Sequence, residues 1–392
     1  MKRHEDSGFE TRSVRTKMDQ SNFHEHSSPI YPTSSFTFES AEEARALFAG
    51  EADGMIYSRY SNPNTDEFVA KLCSLEGADD GIATASGMSA VFAALAGLLS
   101  SGDHVVAVRA VFGSTHQILT RILPRWGISC TYVDASDPSA WPGAFSAATK
   151  MVIFETPSNP GLEIVDIRRM ADIAHSQGVP VCVDNCFATP YLQRPLEHGA
   201  DIVTHSATKF LDGQGRVLGG AVLGRAEHLE DIRFFARQSG PALSPFHAWI
   251  LAKSMETLGP RMDRHCENAE RLARLLEGHS GVKQVRYPAL QSHPQHDLAM
   301  KQMSAGGGVI SFELDGGLAA GSSFLNQLKM ISRSANLGDS RSIATHPAST
   351  THAKLSQEER QRVGISDGLV RISVGLESFD DIASDVRAAI PN

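Results

Sequence analysis

Between about residues 81 and 223, short apolar runs alternate with longer amphipathic stretches. The runs at 104–108, 129–133, 151–154, 179–183, 202–204 and 220–223 are brief and mostly apolar, the pattern of buried strands. Helical periodicity separates most of them, at 115–125 and 167–177 for example. The alternation predicts βαβ units, and so an α/β fold with a doubly wound, mainly parallel sheet. Ligands of such sheets collect at the carboxyl ends of the strands, which directs the search for chemistry to the residues just after each run.

From Pro245 the pattern changes to a long helical stretch ending near Glu277, then strand-like runs at 308–314 and 369–374 and a terminal helix from about Phe379. A second, smaller α+β domain accounts for it. Before about Ser61 there is no periodic core pattern, only a segment rich in Ser, Pro, Thr and aromatic residues. An arm reaching across another subunit fits that composition. The expected division is therefore an arm over 1–60 and domains over 61–250 and 251–392, with no internal repeat.

Composition narrows the class. A chain of 392 residues suits two domains, and 41% hydrophobic with 21% charged residues argues against disorder and fibrous repeats. A net charge of -9 without any Lys/Arg block leaves no electrostatic footprint for nucleic acid, so a small-molecule partner is expected. Residues 1–15 lack the apolar core of an export leader, and the longest apolar stretch, 90–99, is too short to span a bilayer. Five dispersed cysteines fit reduced thiols and a cytoplasmic location; the C-x3-C pair Cys182 and Cys186 has no second pair to complete a metal site.

Three segments could carry chemistry. V-T-H-S-A-T-K (203–209) sets Lys209 a few residues beyond a strand, between the hydroxyls of Ser206 and Thr208 and the chain that follows. A lysine amine attacks an aldehyde only when neutral, and flanking hydroxyls can bind a phosphate, although a surface lysine in a Ser/Thr loop has the same spelling. V-C-V-D-N (181–185) ends an apolar strand in Asp184, which can pair with a pyridinium nitrogen or simply cap a helix. A-S-G-M-S (85–89) is a small-residue turn opening an Ala/Leu-rich helix, whose free amides suit phosphate as they would in many βα turns.

In this order the three segments resemble the Cys/Met-metabolism PLP (pyridoxal 5'-phosphate) enzymes, the cystathionine γ-synthase-like group. The resemblance runs through nearly the whole chain, with Y-S-R-Y-S-N-P-N-T (57–65), E-T-P-S-N-P (155–160) and V-R-I-S-V-G-L-E (370–377) matching as well. It implies the aspartate-aminotransferase-like fold (fold type I), a PLP-binding domain at 61–250 and a Schiff base on Lys209. It further implies that Gly87, Met88, Ser206 and Thr208 hold the phosphate beside Ser86, and that Tyr57 and Arg59 complete the site from a neighbouring subunit. Asn159 would then bond the ring oxygen, Asp184 the ring nitrogen, and Arg371 the substrate α-carboxylate as a bidentate fork. A homotetramer built from dimers with shared sites follows from the same resemblance. Phe112 stands where the family usually stacks a tyrosine on the ring, so stacking is kept and proton transfer by a phenol is not.

Within the family, V-F-G-S-T (111–115), K-F-L-D-G-Q-G-R (209–216), N-L-G-D (336–339) and T-H-P-A-S-T-T-H (345–352) resemble the O-succinylhomoserine sulfhydrylase branch. That implies an O-acylhomoserine substrate near Asn336 and Arg371, replacement of succinate by sulfide, and homocysteine as product, a step toward methionine. Cystathionine γ-synthase and O-acetylhomoserine sulfhydrylase are the alternatives, followed by cystathionine and methionine γ-lyases, whose signatures (an acidic residue before S-L-G, and a cysteine within 112–115) are absent. A regulatory protein of the same fold is disfavoured because Lys209, Asp184 and Arg371 are all present. The glycines at 213–219 miss a dinucleotide fingerprint by one position, and His346 and His352 lack a metal-binding H-E-x-x-H arrangement, so no metal is expected.

Overall fold

The computed structural model describes residues 6–350, 353, 357–362 and 364–391. Seven strands form the main sheet: β1 (Asp80–Thr84), β2 (His104–Val108), β3 (Ser129–Val133), β4 (Thr149–Glu155), β5 (Val181–Asp184), β6 (Ile202–Ser206) and β7 (Gly220–Gly224), in the order β1-β7-β6-β5-β4-β2-β3. From β6 to β3 every neighbouring pair is parallel, and only β7 runs against its neighbours. The sheet is α/β, doubly wound and mainly parallel, as the alternation of runs predicts.

Over β2, β4, β5, β6 and β7 both faces are largely dry, which explains why those strands read as continuous apolar runs, whereas the edge strand β3 exposes Ser129 and Thr131. Val106, Val152, Phe154, Val183 and Val203 enter one core, while Val105, Ala107, Ile153, Cys182 and Ile202 enter the other. A buried aliphatic side chain contributes roughly 1.5–3 kcal/mol, so these layers dominate the sheet's stability.

Local signals set the helix ends. In the arm lie α1 (Phe9–Arg15) and α2 (Ala41–Phe48). α3 (Pro63–Glu76) starts with a reciprocal capping box between Asn62 and Thr65, has proline in its first turn, and stops at Gly77, whose φ of 77° is left-handed. α4 (Gly87–Leu98) is capped by Ser86, whose Oγ accepts the Ser89 amide at 3.2 Å.

Two expectations need correction. The stretch 115–125 is not one helix: α5 (Gly113–Gln117) passes into a π-helical turn, Ile118–Ile122, and then a 3-10 turn, Leu123–Trp126. Pro124 has no amide to continue the ladder and disfavours helical backbone before it. The stretch 245–277 is two helices, Pro245–Met255 and Leu258–Glu277; Pro260 is tolerated in the first turn of the second, where its missing N–H would have no partner. Within the arm, α1 docks on its own chain: Ser13 and Thr16 are buried and the Phe9 ring meets Tyr191 edge-on at 5.0 Å. Beyond it the arm lies open, with no buried residue in α2 and Phe23 92% exposed.

β8 (Val282–Arg286), β9 (Val309–Leu314), β10 (Ser332–Arg333), β11 (Ile343–Thr345) and β12 (Leu369–Ser373) form a second sheet in the order β10-β11-β12-β9-β8, antiparallel except for β10 with β11. Helices Leu258–Glu277, Gly317–Gln327 and Phe379–Ala389 cover it. The first of these joins the halves, since Met262 and Cys266 belong to the main core and Ala269 and Leu272 to the second. Among the described residues no helix is long and apolar enough to cross a membrane.

Candidate active site

One cavity of about 280 Å³ opens at the carboxyl ends of the main sheet, against β11 and β12 of the second. It gathers Ser86, Gly87, Met88, Phe112, Asn159, Asp184, Ser206, Thr208, Lys209 and Arg371 from six separate segments of sequence. The strand-end rule explains the convergence: Phe112 follows β2, Asn159 follows β4, Asp184 ends β5, and Ser206 ends β6 just before Lys209.

Lys209 is held in the turn after β6, where its amide donates to Ser206 O at 3.2 Å and its carbonyl accepts from Gly213 at 2.8 Å. Its Nζ donates to Asn336 Oδ1 at 2.5 Å. Burial pulls the ammonium below its ordinary range; Cys186 opposes that shift and Arg371 adds to it. Asp184 does not cap a helix. Its Oδ1 accepts the Cys186 amide at 3.0 Å in a local turn, while the next helix, Thr189–Leu192, has no side-chain cap. Burial raises the Asp184 carboxyl to about 6, against the pull of His205.

Arg371 lies in β12, paired with Ser311 of β9 and Thr345 of β11. Its Nη1 donates to Asn159 Oδ1 at 2.9 Å and its Nη2 to Asn336 O at 3.0 Å. Burial lowers the guanidinium to about 10. Its Nε is buried with no hydrogen-bond partner, the mark of a donor reserved for something else. Asn336 therefore touches both cations, through its side chain for Lys209 and through its carbonyl for Arg371.

At the far end of the cavity, α4 presents its first amides beside Ser206 and Thr208. Gly87 is required there, since a Cβ would fall 2.4 Å from Ser206 Cβ. Thr208 Oγ1 is 3.2 Å from the Gly219 amide and 3.3 Å from its carbonyl, which ties the turn to the start of β7. Phe112 is 43% exposed, at the mouth.

Tyr57 and Arg59 do not join this cavity within the chain. Arg59 donates to Arg237 O, with its guanidinium 4.8 Å from the Tyr60 ring and 5.6 Å from that of Tyr57, in a separate groove of about 470 Å³. His346 packs in its loop, Nδ1 at 2.8 Å from Ser349 Oγ and Nε2 at 2.8 Å from Asp367 O; His352 lies outside the described residues. Sequence reasoning gave no role to Glu155, yet it lines the cavity with both oxygens accepting backbone amides. Burial and the nearby Asp184 raise its carboxyl to about 8. The signal was the one that marked Asp184, an acid closing an apolar strand.

These residues fit pyridoxal phosphate. A helix N-terminus with no room for a Cβ suits a phosphate, a half-buried lysine and a half-buried aspartate are the donor types an aldehyde and a ring nitrogen would need, and the unpartnered Arg371 Nε suits an anion.

Comparison with known proteins agrees. A model of the Cys/Met metabolism PLP-dependent enzyme family matches residues 10–391. The chain is 47% identical over 386 residues to the O-succinylhomoserine sulfhydrylase of Pseudomonas aeruginosa, covering 98% of this chain and 96% of that protein. It is 45% identical over 389 residues to the L-methionine gamma-lyase of Pseudomonas putida, covering 98% and 97%. Among solved structures, cystathionine gamma synthase from Xanthomonas oryzae in complex with aminoacrylate and cysteine matches with a TM-score of 0.92 and 36% identity over 98% of this chain and 97% of that one. A Campylobacter jejuni protein solved with N'-pyridoxyl-lysine-5'-monophosphate in its chain matches with a TM-score of 0.94 and 34% identity over 98% and 100%. The fold is type I, and the chain belongs to the Cys/Met-metabolism family of PLP-dependent enzymes.

Proposed function

We propose that this enzyme is an O-succinylhomoserine sulfhydrylase, which exchanges succinate for sulfide at the γ-carbon and yields homocysteine for methionine synthesis. The observation that carries the reading is the bridging of Lys209 and Arg371 by one residue, Asn336. An amine and a guanidinium fixed to a common segment can hold an amino acid by its α-carboxylate with its Cα beside the amine. The 47% identity to O-succinylhomoserine sulfhydrylases of Pseudomonas aeruginosa and Mycobacterium tuberculosis favours the succinyl substrate.

When bound, pyridoxal phosphate supplies an aldehyde that condenses with an amine and a ring that takes up the electron pair left on Cα. Lys209 Nζ would take the proton from Cα and serve as base and acid at Cβ. Asp184 would hold the ring nitrogen and favour its protonated form. Arg371 orients the α-carboxylate, and Asn159, fixed by Arg371, faces the ring oxygen. Ser86, Gly87, Met88, Ser206 and Thr208 hold the phosphate, and Phe112 covers the ring. Tyr57 and Arg59 complete the site of a neighbouring subunit within a dimer, two dimers forming the tetramer; the support is that neither lines the cavity of its own chain, where Arg59 turns to a different groove.

The test is an assay matrix: O-succinyl- and O-acetylhomoserine, each with sulfide and with cysteine, plus cystathionine and methionine alone. Homocysteine formed fastest from O-succinylhomoserine and sulfide is the expected result. Faster turnover of methionine or cystathionine overturns the branch and leaves the cofactor reading intact. Borohydride treatment of the PLP-loaded protein should bleach the yellow absorbance and leave a pyridoxyl group fixed to the chain, detectable by mass, in wild type and not in Lys209→Ala.

A further inference from the structure

The strand order reverses between β2 and β4. From β2 the chain continues outward to β3, and from β4 it continues the other way to β5 and β6, so the connections leaving β2 and β4 part over the cavity. Phe112 belongs to the first connection and Asn159 to the second. Glu155, the last residue of β4, spans the gap: Oε2 accepts the Phe112 amide at 3.0 Å and Oε1 the Asn159 amide at 2.7 Å. Asn159 Oδ1 in turn accepts from Arg371 Nη1 at 2.9 Å. The carboxylate is 9% exposed, and hydrogen bonds from backbone amides to a buried carboxylate are among the stronger kind.

We propose that Glu155 is a positioning residue that staples the two connections, setting the Phe112 ring and, through Asn159, the Arg371 guanidinium in one fixed relation around the substrate. This rests on the reading of the cavity as the cofactor and amino-acid site. The side chain has the one chemistry the position accepts. Two convergent N–H groups need two acceptor oxygens, and a glutamine would turn an NH2 toward one of them.

The experiment compares Glu155→Gln and Glu155→Asp with wild type at pH 9, above the value of about 8 to which burial and Asp184 raise the Glu155 carboxyl so that it is ionised, by PLP titration, visible circular dichroism of the bound chromophore, melting temperature without PLP, and kcat and KM for O-succinylhomoserine with sulfide. In Glu155→Gln, KM should rise roughly tenfold, the scale of one lost charge-assisted hydrogen bond, and the dichroic band should shrink as the ring loses its fixed cover. Glu155→Asp keeps the charge but reaches only one amide, so it should fall between the two. A variant that melts lower yet keeps KM and the dichroic band of wild type shows a role in the fold alone and overturns the proposal, as does failure of both variants to fold. Wild-type protein that takes up no PLP overturns the cofactor reading and this inference with it, whereas an unchanged Glu155→Gln in a PLP-binding wild type overturns the positioning role alone.

Discussion

At the scale of single residues, the site is a set of charges withdrawn from water, and that withdrawal is measurable as a pH dependence. Folding raises the Asp184 carboxyl from 3.8 to about 6 and the Glu155 carboxyl from 4.5 to about 8. In those windows the folded chain binds protons that the unfolded chain has released. The stability the two groups contribute is therefore present at low pH and lost as pH rises through the folded values. The melting temperature of the PLP-free wild type, taken relative to that of Asp184→Asn with Glu155→Gln, should fall between about pH 5 and pH 8, the comparison cancelling the opposite slope that the buried, lowered histidines such as His265 give to both proteins. A difference between the two proteins that rises across the same range would contradict the assignment. Lys209 and Asp184 each had an ordinary explanation in their own segments, a surface loop and a helix cap, and they and Arg371 stood out only through the order of their segments and the family resemblance. The Arg371 Nε vacancy and the two amides on Glu155 were not legible in the sequence, because they depend on which way side chains from distant segments face.

At the scale of elements, the strands of the main sheet were legible because burial on both faces writes itself as an uninterrupted apolar run, as at β2 and β4. The prolines at 124 and 260 were visible too, yet periodicity alone carried the helices straight through them. The short strands β8, β10 and β11 left little signal: β10 has two residues, both exposed, and β8 is mostly solvated. Tertiary pairing, not local pattern, makes them strands. The loop between β10 and β11 brings Asn336 to Lys209, and Gly338 permits that approach. Its φ is +74°, and a Cβ would lie 2.5 Å from the Phe210 amide nitrogen and 2.8 Å from Lys209 C. Gly338→Ala should therefore cost about 1–3 kcal/mol of stability from strained backbone and contact. The same change should separate Asn336 from Lys209 and raise KM for the amino-acid substrate. Thermal unfolding and steady-state kinetics on one preparation check both; a variant equal to wild type in each would mean the loop has slack that the contact distances exclude.

At the scale of the whole molecule, the proposed sharing of sites between subunits rests on the exposed surface of the arm. The segment from α2 to Tyr57 buries little of itself, and the Phe23, Phe48 and Tyr57 side chains are 92%, 64% and 40% exposed. A protein seldom leaves so much aromatic surface to water without a partner to cover it. Arg59, meanwhile, faces a groove and not the cavity that holds Lys209. Shared sites reconcile these facts, and they make a prediction that no single-chain site can meet. Arg59→Ala and Lys209→Ala should each be nearly inactive alone, for loss of a phosphate contact and of the amine. Co-expressed, the two chains pair at random, about half of the dimers are mixed, and each mixed dimer holds one site with both native residues. Mixed preparations should then regain about a quarter of wild-type turnover, rising with the fraction of mixed dimers isolated by differential tagging. If Arg59 instead served the cavity of its own chain, every site in the mixture would lack one residue or the other, and turnover would stay at the level of the separate variants.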